Sequence, residues 1–146
     1  MMVRDEKGFT LIEALISLFI LSIISLLSFT FVVNLHDYIR LNHVLTIFQA
    51  DLHHMRDFNM MPLNGDERMV IRIYHHEDRY VVLVGNVIYH ERQLPNNVSI
   101  VNQHATSSIS FNERGNLGAG RTFVFSSRYH ERRVVFSVGA GGFDVR

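Results

Sequence analysis

The chain has 146 residues, balances 14 Lys+Arg against 14 Asp+Glu, and contains no cysteine. The missing cysteines exclude a disulfide framework and thiol chemistry, so any folded domain must hold itself by packing or by neighbours. The length leaves room for one helical anchor and one small domain, with no Pro/Gly/Ser-rich linker between them.

A short polar head, Met1 to Lys7, precedes Gly8-Phe9-Thr10-Leu11-Ile12-Glu13 and an apolar run that continues to Val33. From Phe9 to Val33 the only charge is Glu13, and the other polar residues are Ser and Thr. At about 1.5 Å rise per residue the run reaches roughly 37 Å, enough for a hydrocarbon core of about 30 Å. A carboxylate inside that span costs about 2.5–3.5 kcal/mol on insertion scales, so it calls for a partner. A secretory signal peptide would place its apolar stretch before a small-residue cleavage site. Here the run is longer and no Ala-x-Ala pattern closes it. A plain single-pass anchor accounts for the hydropathy and leaves Glu13 and Gly8-Phe9 unexplained.

The segment Lys7-Gly8-Phe9-Thr10-Leu11-Ile12-Glu13 resembles the class III signal of type IV pilins and pseudopilins. The resemblance implies that residues 1–8 are a leader, that a membrane prepilin peptidase cuts between Gly8 and Phe9, and that Phe9 is then N-methylated. It also implies that Glu13, now the fifth residue, meets the N-terminal amine of a neighbouring subunit during assembly. Carboxylate and ammonium stabilise each other far more in a low dielectric than in water, and either alone is costly there. Loss of the leader removes Arg4 and Lys7 with Asp5 and Glu6, so the mature chain stays neutral.

Residues 9–33 read as a transmembrane and assembly helix, and residues 34–146 as a globular domain. Past the apolar run, Leu41, Leu45, Phe48, Leu52 and Met55 recur every three or four positions, one stripe of a 3.6-residue helix widened by Val44. A second surface carries His36, Arg40, His43, Asp51 and His54. The helix should fade near Phe58 to Met61, because Pro62 disfavours helix at the residue before it. The period then changes to two. Strands are expected at 69–74, 79–84, 87–92, 98–101, 108–111, 122–126, 133–138 and 143–146, with Gly85-Asn86 as a two-residue hairpin turn. The stripe needs an apolar partner, and the antiparallel sheet is the only candidate. The expected fold is therefore α+β and pilin-like, a long N-terminal helix packed on a C-terminal antiparallel β-sheet.

The segments Ile109 to Gly115, Gly118 to Phe123 and Val134 to Gly141 resemble the C-terminal half of ComGD-type minor pilins, which belong to the competence pilus of Gram-positive bacteria. Glu91 to Pro95 ahead of Val98 to Ile100 fits the same pattern, and GspH- and FimT-type minor pseudopilins are the wider relatives. The resemblance implies a non-enzymatic subunit that helps prime assembly of the pilus for DNA uptake in transformation. It is held first as a single-pass protein in the cell membrane and later at the cell surface. The implied partners are the prepilin peptidase, the major competence pilin, other minor pilins, an assembly-platform membrane protein and, before assembly, membrane lipid. A type II secretion pseudopilin and a DNA-contacting pilus-tip receptor are the alternatives.

Some FimT-type relatives hold DNA through a C-terminal Gly-Arg-x-Arg tail. Here Gly142 stands where its first Arg would be, Asp144 adds a negative charge, and only Arg146 survives. Backbone phosphate binding depends on how many cations meet the polymer, so this departure weakens direct contact. Arg128, Arg132 and Arg133 with Arg146 remain the candidate DNA contacts, or a solvated hairpin tip.

The nine histidines invite a metal hypothesis that spacing does not favour. Neighbours such as His53-His54 and His75-His76 diverge by about 100° on a helix or point to opposite faces of a strand. His36 and His43 stand about 10.5 Å apart along a helix axis, too far for one ion with ligands at about 2.0–2.1 Å. Solvated histidines are the expectation, with no metal site and no cofactor. No nucleophile elbow, P-loop or His-Glu-x-x-His is present. Ser107-Ser108 and Ser126-Ser127 have no assignable His or Asp companions, so no catalytic residue is assigned. Phe111, Phe123, Phe125 and Phe136 read as core.

Overall fold

A computed structural model describes residues 10–61, 67–101, 106–137 and 142–146. The chain divides into two units, one ending at His36 and one beginning at Asp37. A single helix, α1 (Leu11–Met60), supplies residues to both.

In the first unit, Thr10 caps the helix: the Glu13 amide donates to Thr10 Oγ1 (3.3 Å), and the Glu13 and Ala14 amides both donate to the Thr10 carbonyl (3.1 Å). The apolar side chains beyond it, among them Leu18, Phe19, Leu26 and Phe29, are exposed all round the helix. α1 is long and apolar enough to cross a membrane by length and composition. Its hydroxyls do not spoil that character. Ser17, Ser22, Ser25, Ser28 and Thr30 each donate to a carbonyl three or four residues back, at 2.7–2.9 Å. A hydroxyl bonded to its own helix adds no unmet donor in lipid.

In the second unit the expected stripe turns inward: Leu41, Val44, Leu45, Phe48, Leu52 and Met55 are all buried. Among the described residues eight strands follow: β1 (Met69–Tyr74), β2 (Arg79–Val84), β3 (Val87–Gln93), β4 (Ser99–Val101), β5 (Thr106–Ile109), β6 (Arg121–Ser126), β7 (Glu131–Phe136) and β8 (Phe143–Val145). All pair antiparallel. The fold class is as expected, a helix packed on antiparallel β-structure. The strands make two four-stranded sheets rather than one, in the orders β3-β2-β1-β5 and β4-β6-β7-β8. The division falls after Leu94. There the amide of Val98 closes a turn on the Pro95 carbonyl (2.8 Å), and β4 pairs with β6 instead of continuing beside β3.

Phe48 lies where the helix meets both sheets. Its ring is 5.3 Å from Tyr80 of the first sheet and 5.0 Å from Phe125 of the second. Phe111, Phe123, Phe125 and Phe136 are all buried, as their alternation implied, and Phe111 sits in an isolated bridge with Leu117. The Gly85-Asn86 turn forms where expected, with Gly85 at φ +58°, a backbone conformation that costs glycine nothing.

At the end of α1, Asn59 is buried and fully used. Its Nδ2 donates to the carbonyls of Met69 (2.9 Å) and Phe111 (3.0 Å), and its Oδ1 accepts from the Met69 amide (2.7 Å). One side chain thus ties the helix end to the start of β1 and to the segment after β5. Asn59→Ala would remove the side-chain partner of three backbone groups away from bulk water, of which the Phe111 carbonyl keeps a further contact, from the Ser110 hydroxyl (3.4 Å). The expected loss is about 2–4 kcal/mol of folding stability, read as a lower urea midpoint with unchanged slope.

Candidate functional site

The cleavage pair Gly8 and Phe9 lies outside the described residues. Glu13 is described, in the first turn of α1 and exposed. Among the described residues no ion pair or hydrogen bond reaches its carboxylate. Nothing within this chain's described part therefore offsets the charge.

The four candidate arginines separate into two groups. Arg132 and Arg133 are successive residues of β7 and so point to opposite faces of the sheet. Arg133 exchanges both main-chain hydrogen bonds with Arg146 (2.8 and 2.9 Å), which places these two side by side. Each is tied to an acid two residues before it: Arg133 to Glu131 within β7 (3.0 Å), and Arg146, just past β8, to Asp144 (2.9 Å). Arg128 and Arg132 behave differently. The Arg128 guanidinium lies 5.3 Å from the Tyr129 ring centre, and that of Arg132 lies 5.7 Å from the ring of Tyr38 on α1. Among the described residues neither has an acidic partner.

Asp37 fixes the turn that carries Arg128. It is buried, and its Oδ2 accepts from the Ser127 hydroxyl (2.7 Å) and the Tyr129 amide (3.1 Å). Burial works to raise its carboxyl pKa. The bond from Ser127, the Tyr129 amide and nearby His130 outweigh that, and the pKa falls below the usual carboxylate value. The sign follows directly. A folded pKa below the unfolded one contributes stability above the unfolded value of about 3.9 and loses it as pH falls through the folded value. Asp37→Asn is therefore expected to destabilise the fold near neutrality, and the gap from the parent should close on acidification below pH of about 4. Urea titrations of both chains at several pH values read this out.

Asp51, placed by its spacing on the second surface of the helix, is drawn toward the first sheet. Its Oδ2 accepts from the Tyr80 hydroxyl (2.7 Å) and from Arg92 Nε (3.2 Å). Burial, then the bond to Asp51, pushes the Tyr80 pKa up, so the phenol stays a donor.

Two expectations about polar residues need correction. His75 is not solvated: it is buried just after β1, with Nδ1 3.2 Å from the Ile100 carbonyl and Nε2 2.9 Å from Ser107 Oγ. Ser107 therefore has a histidine companion after all. A carbonyl only accepts, so the neutral ring carries its proton on Nδ1 and accepts from the serine through Nε2. This resembles a nucleophile–base pair in its hydrogen bond alone. Both residues are buried, and they join β5 of the first sheet to β4 of the second, with the imidazole stacked near Phe123. The arrangement ties two sheets together. No sequence signal marked it, because residues 75, 100 and 107 meet only when β4 leaves the first sheet.

A family model described as the prokaryotic N-terminal methylation motif matches residues 3–29. No curated protein and no solved structure is matched. On a helix-on-sheet α+β architecture the chain carries a type IV pilin-like prepilin signal, and this motif supports a membrane-anchored pilin or pseudopilin subunit, processed by a prepilin peptidase and assembled with other pilins.

Proposed function

We propose that this chain is a minor pseudopilin of a competence pilus, a structural subunit that helps prime pilus assembly for DNA uptake. The observation that carries the pilin-type part is Glu13: an uncompensated carboxylate in an apolar helix, five residues after Gly8, inside the methylation motif. The competence assignment is supported by the resemblance of the C-terminal segments to ComGD-type minor pilins. In this reading Gly8 and Phe9 form the processing site, Phe9 is the methylated residue, and Glu13 receives the amine of a neighbouring subunit. The major pilin, other minor pilins and the assembly platform are the partners, and the subunit passes from the cell membrane to the cell-surface pseudopilus.

Changing Gly8 to a bulky residue tests the processing step. A slower-migrating, membrane-held precursor is expected, with mass spectrometry of the parent chain showing an N-methylated Phe9. A parent chain that keeps all of residues 1–8 in its native host would overturn the proposal. Deletion of the gene separates the competence role from that of a secretion pseudopilin, since the first lowers transformation and the second lowers protein export.

A further inference from the structure

We propose that Arg128, Tyr129, Arg132 and Tyr38 form a binding site for the headgroup of an anionic phospholipid, used while the subunit is held in the bilayer. The proposal rests on the reading of residues 9–33 as a membrane helix. Asp37 is the fourth residue after Val33, and a fully extended chain spans at most about 3.6 Å per residue. Whatever path the backbone takes, Asp37 thus lies within about 14 Å of the end of the apolar run. The turn is bonded to that same residue through Ser127 and the Tyr129 amide. The arginine-bearing turn is therefore held close to the bilayer surface by covalent reach and two hydrogen bonds.

The chemistry at this place fits a phospholipid interface. Tyr38 and Tyr129 are 39% and 49% exposed, and Ile39 beside them is 57% exposed. Tyrosine is enriched at the headgroup level, where its ring meets the acyl boundary and its hydroxyl meets water. Arg128 and Arg132 lie over these rings and keep an uncompensated charge for a phosphate, whereas Arg133 and Arg146 already hold Glu131 and Asp144. Of the acids near this turn, Asp37 is buried and directs its charge into it, Glu131 is held by Arg133, and the half-buried Asp78 lines one cleft with Arg128 without an ion pair to it. Nucleic acid shares the phosphate chemistry, but the short covalent reach from Val33 to Asp37 favours a ligand at the bilayer surface.

The full chain, reconstituted in nanodiscs of phosphatidylcholine with or without phosphatidylglycerol, allows the test by hydrogen exchange. Slower exchange at Ser127 to His130 is expected only with phosphatidylglycerol. Each arginine near an anionic surface contributes a factor of about five. R128Q/R132Q should therefore lose the lipid dependence, while the β1–β2 amides report an intact fold. R133Q/R146Q should keep it. Equal exchange in both discs, an equal loss in the two double variants, or protection produced by inorganic phosphate or duplex DNA in phosphatidylcholine discs would each overturn the headgroup site. A chain that fails to insert at all would overturn the anchor and this site with it.

Discussion

Glu13→Ala is expected to leave cleavage at Gly8 intact and to abolish incorporation of the subunit into the filament. An unpartnered charge at membrane depth costs about 2.5–3.5 kcal/mol, so pairing it with an amine is worth about two orders of magnitude in the assembly equilibrium. Local structure offers a competing role for this residue. Thr10-x-x-Glu13 has the form of a capping box, and Thr10 does cap the helix. The two roles differ in what glutamine does. Glutamine serves a capping box as well as glutamate, so a capping residue would tolerate Glu13→Gln and lose only about 1 kcal/mol on change to alanine. A residue that pairs with an ammonium should fail with either substitution, because the amide carries no charge. Quantifying the processed subunit in sheared pilus fractions, against the membrane pool, distinguishes them. Normal incorporation of both variants would end the assembly role.

The largest stability effect is expected at Phe48. The ring is fully buried and meets Tyr80 from one sheet and Phe125 from the other, so no single neighbour can move to refill its space. Phe48→Ala should cost about 3–5 kcal/mol, from lost transfer energy and the cavity left between three elements. For a domain without disulfides that is a large part of a typical margin of about 5–15 kcal/mol. Phe48→Leu keeps more of the volume and should lose less. Urea unfolding or limited proteolysis of the full chain in detergent measures both, and a cost below about 1 kcal/mol for alanine would show that the sheets do not share this ring.

Much of the architecture was legible because its causes are local. The stripe from Leu41 to Met55 repeats with the pitch of a helix, so its inward face followed from spacing alone. β1 and β2 begin and end where alternation and the turn at 75–78 placed them. β7 begins two residues earlier than expected, at Glu131, because Glu131 pairs with Ser126 across the hairpin, and that pairing is not written in the alternation of β7 itself.

The less legible features all depend on meetings between distant residues. Asp37, Asn59 and His75 look like ordinary polar positions in the chain, and each is buried because a particular backbone amide, carbonyl or hydroxyl comes to meet it. Arg132 likewise carries no local sign of what it meets, whereas Arg133 shares a strand face with Glu131 two residues before it. One stands over an aromatic ring of the helix, and the other lies beside Arg146 with its own acid.

From residue order alone came the prepilin signal, the apolar span with its lone carboxylate, the helix stripe and the number of strands. These express hydropathy, steric preference and period, which act over a few neighbouring residues. Only the tertiary structure decided that eight strands form two sheets, that Phe48 joins them, and which arginines keep an uncompensated charge. Those outcomes depend on pairings such as β1 with β5 and β4 with β6, and loop closure between distant segments leaves no mark on the residues it brings together.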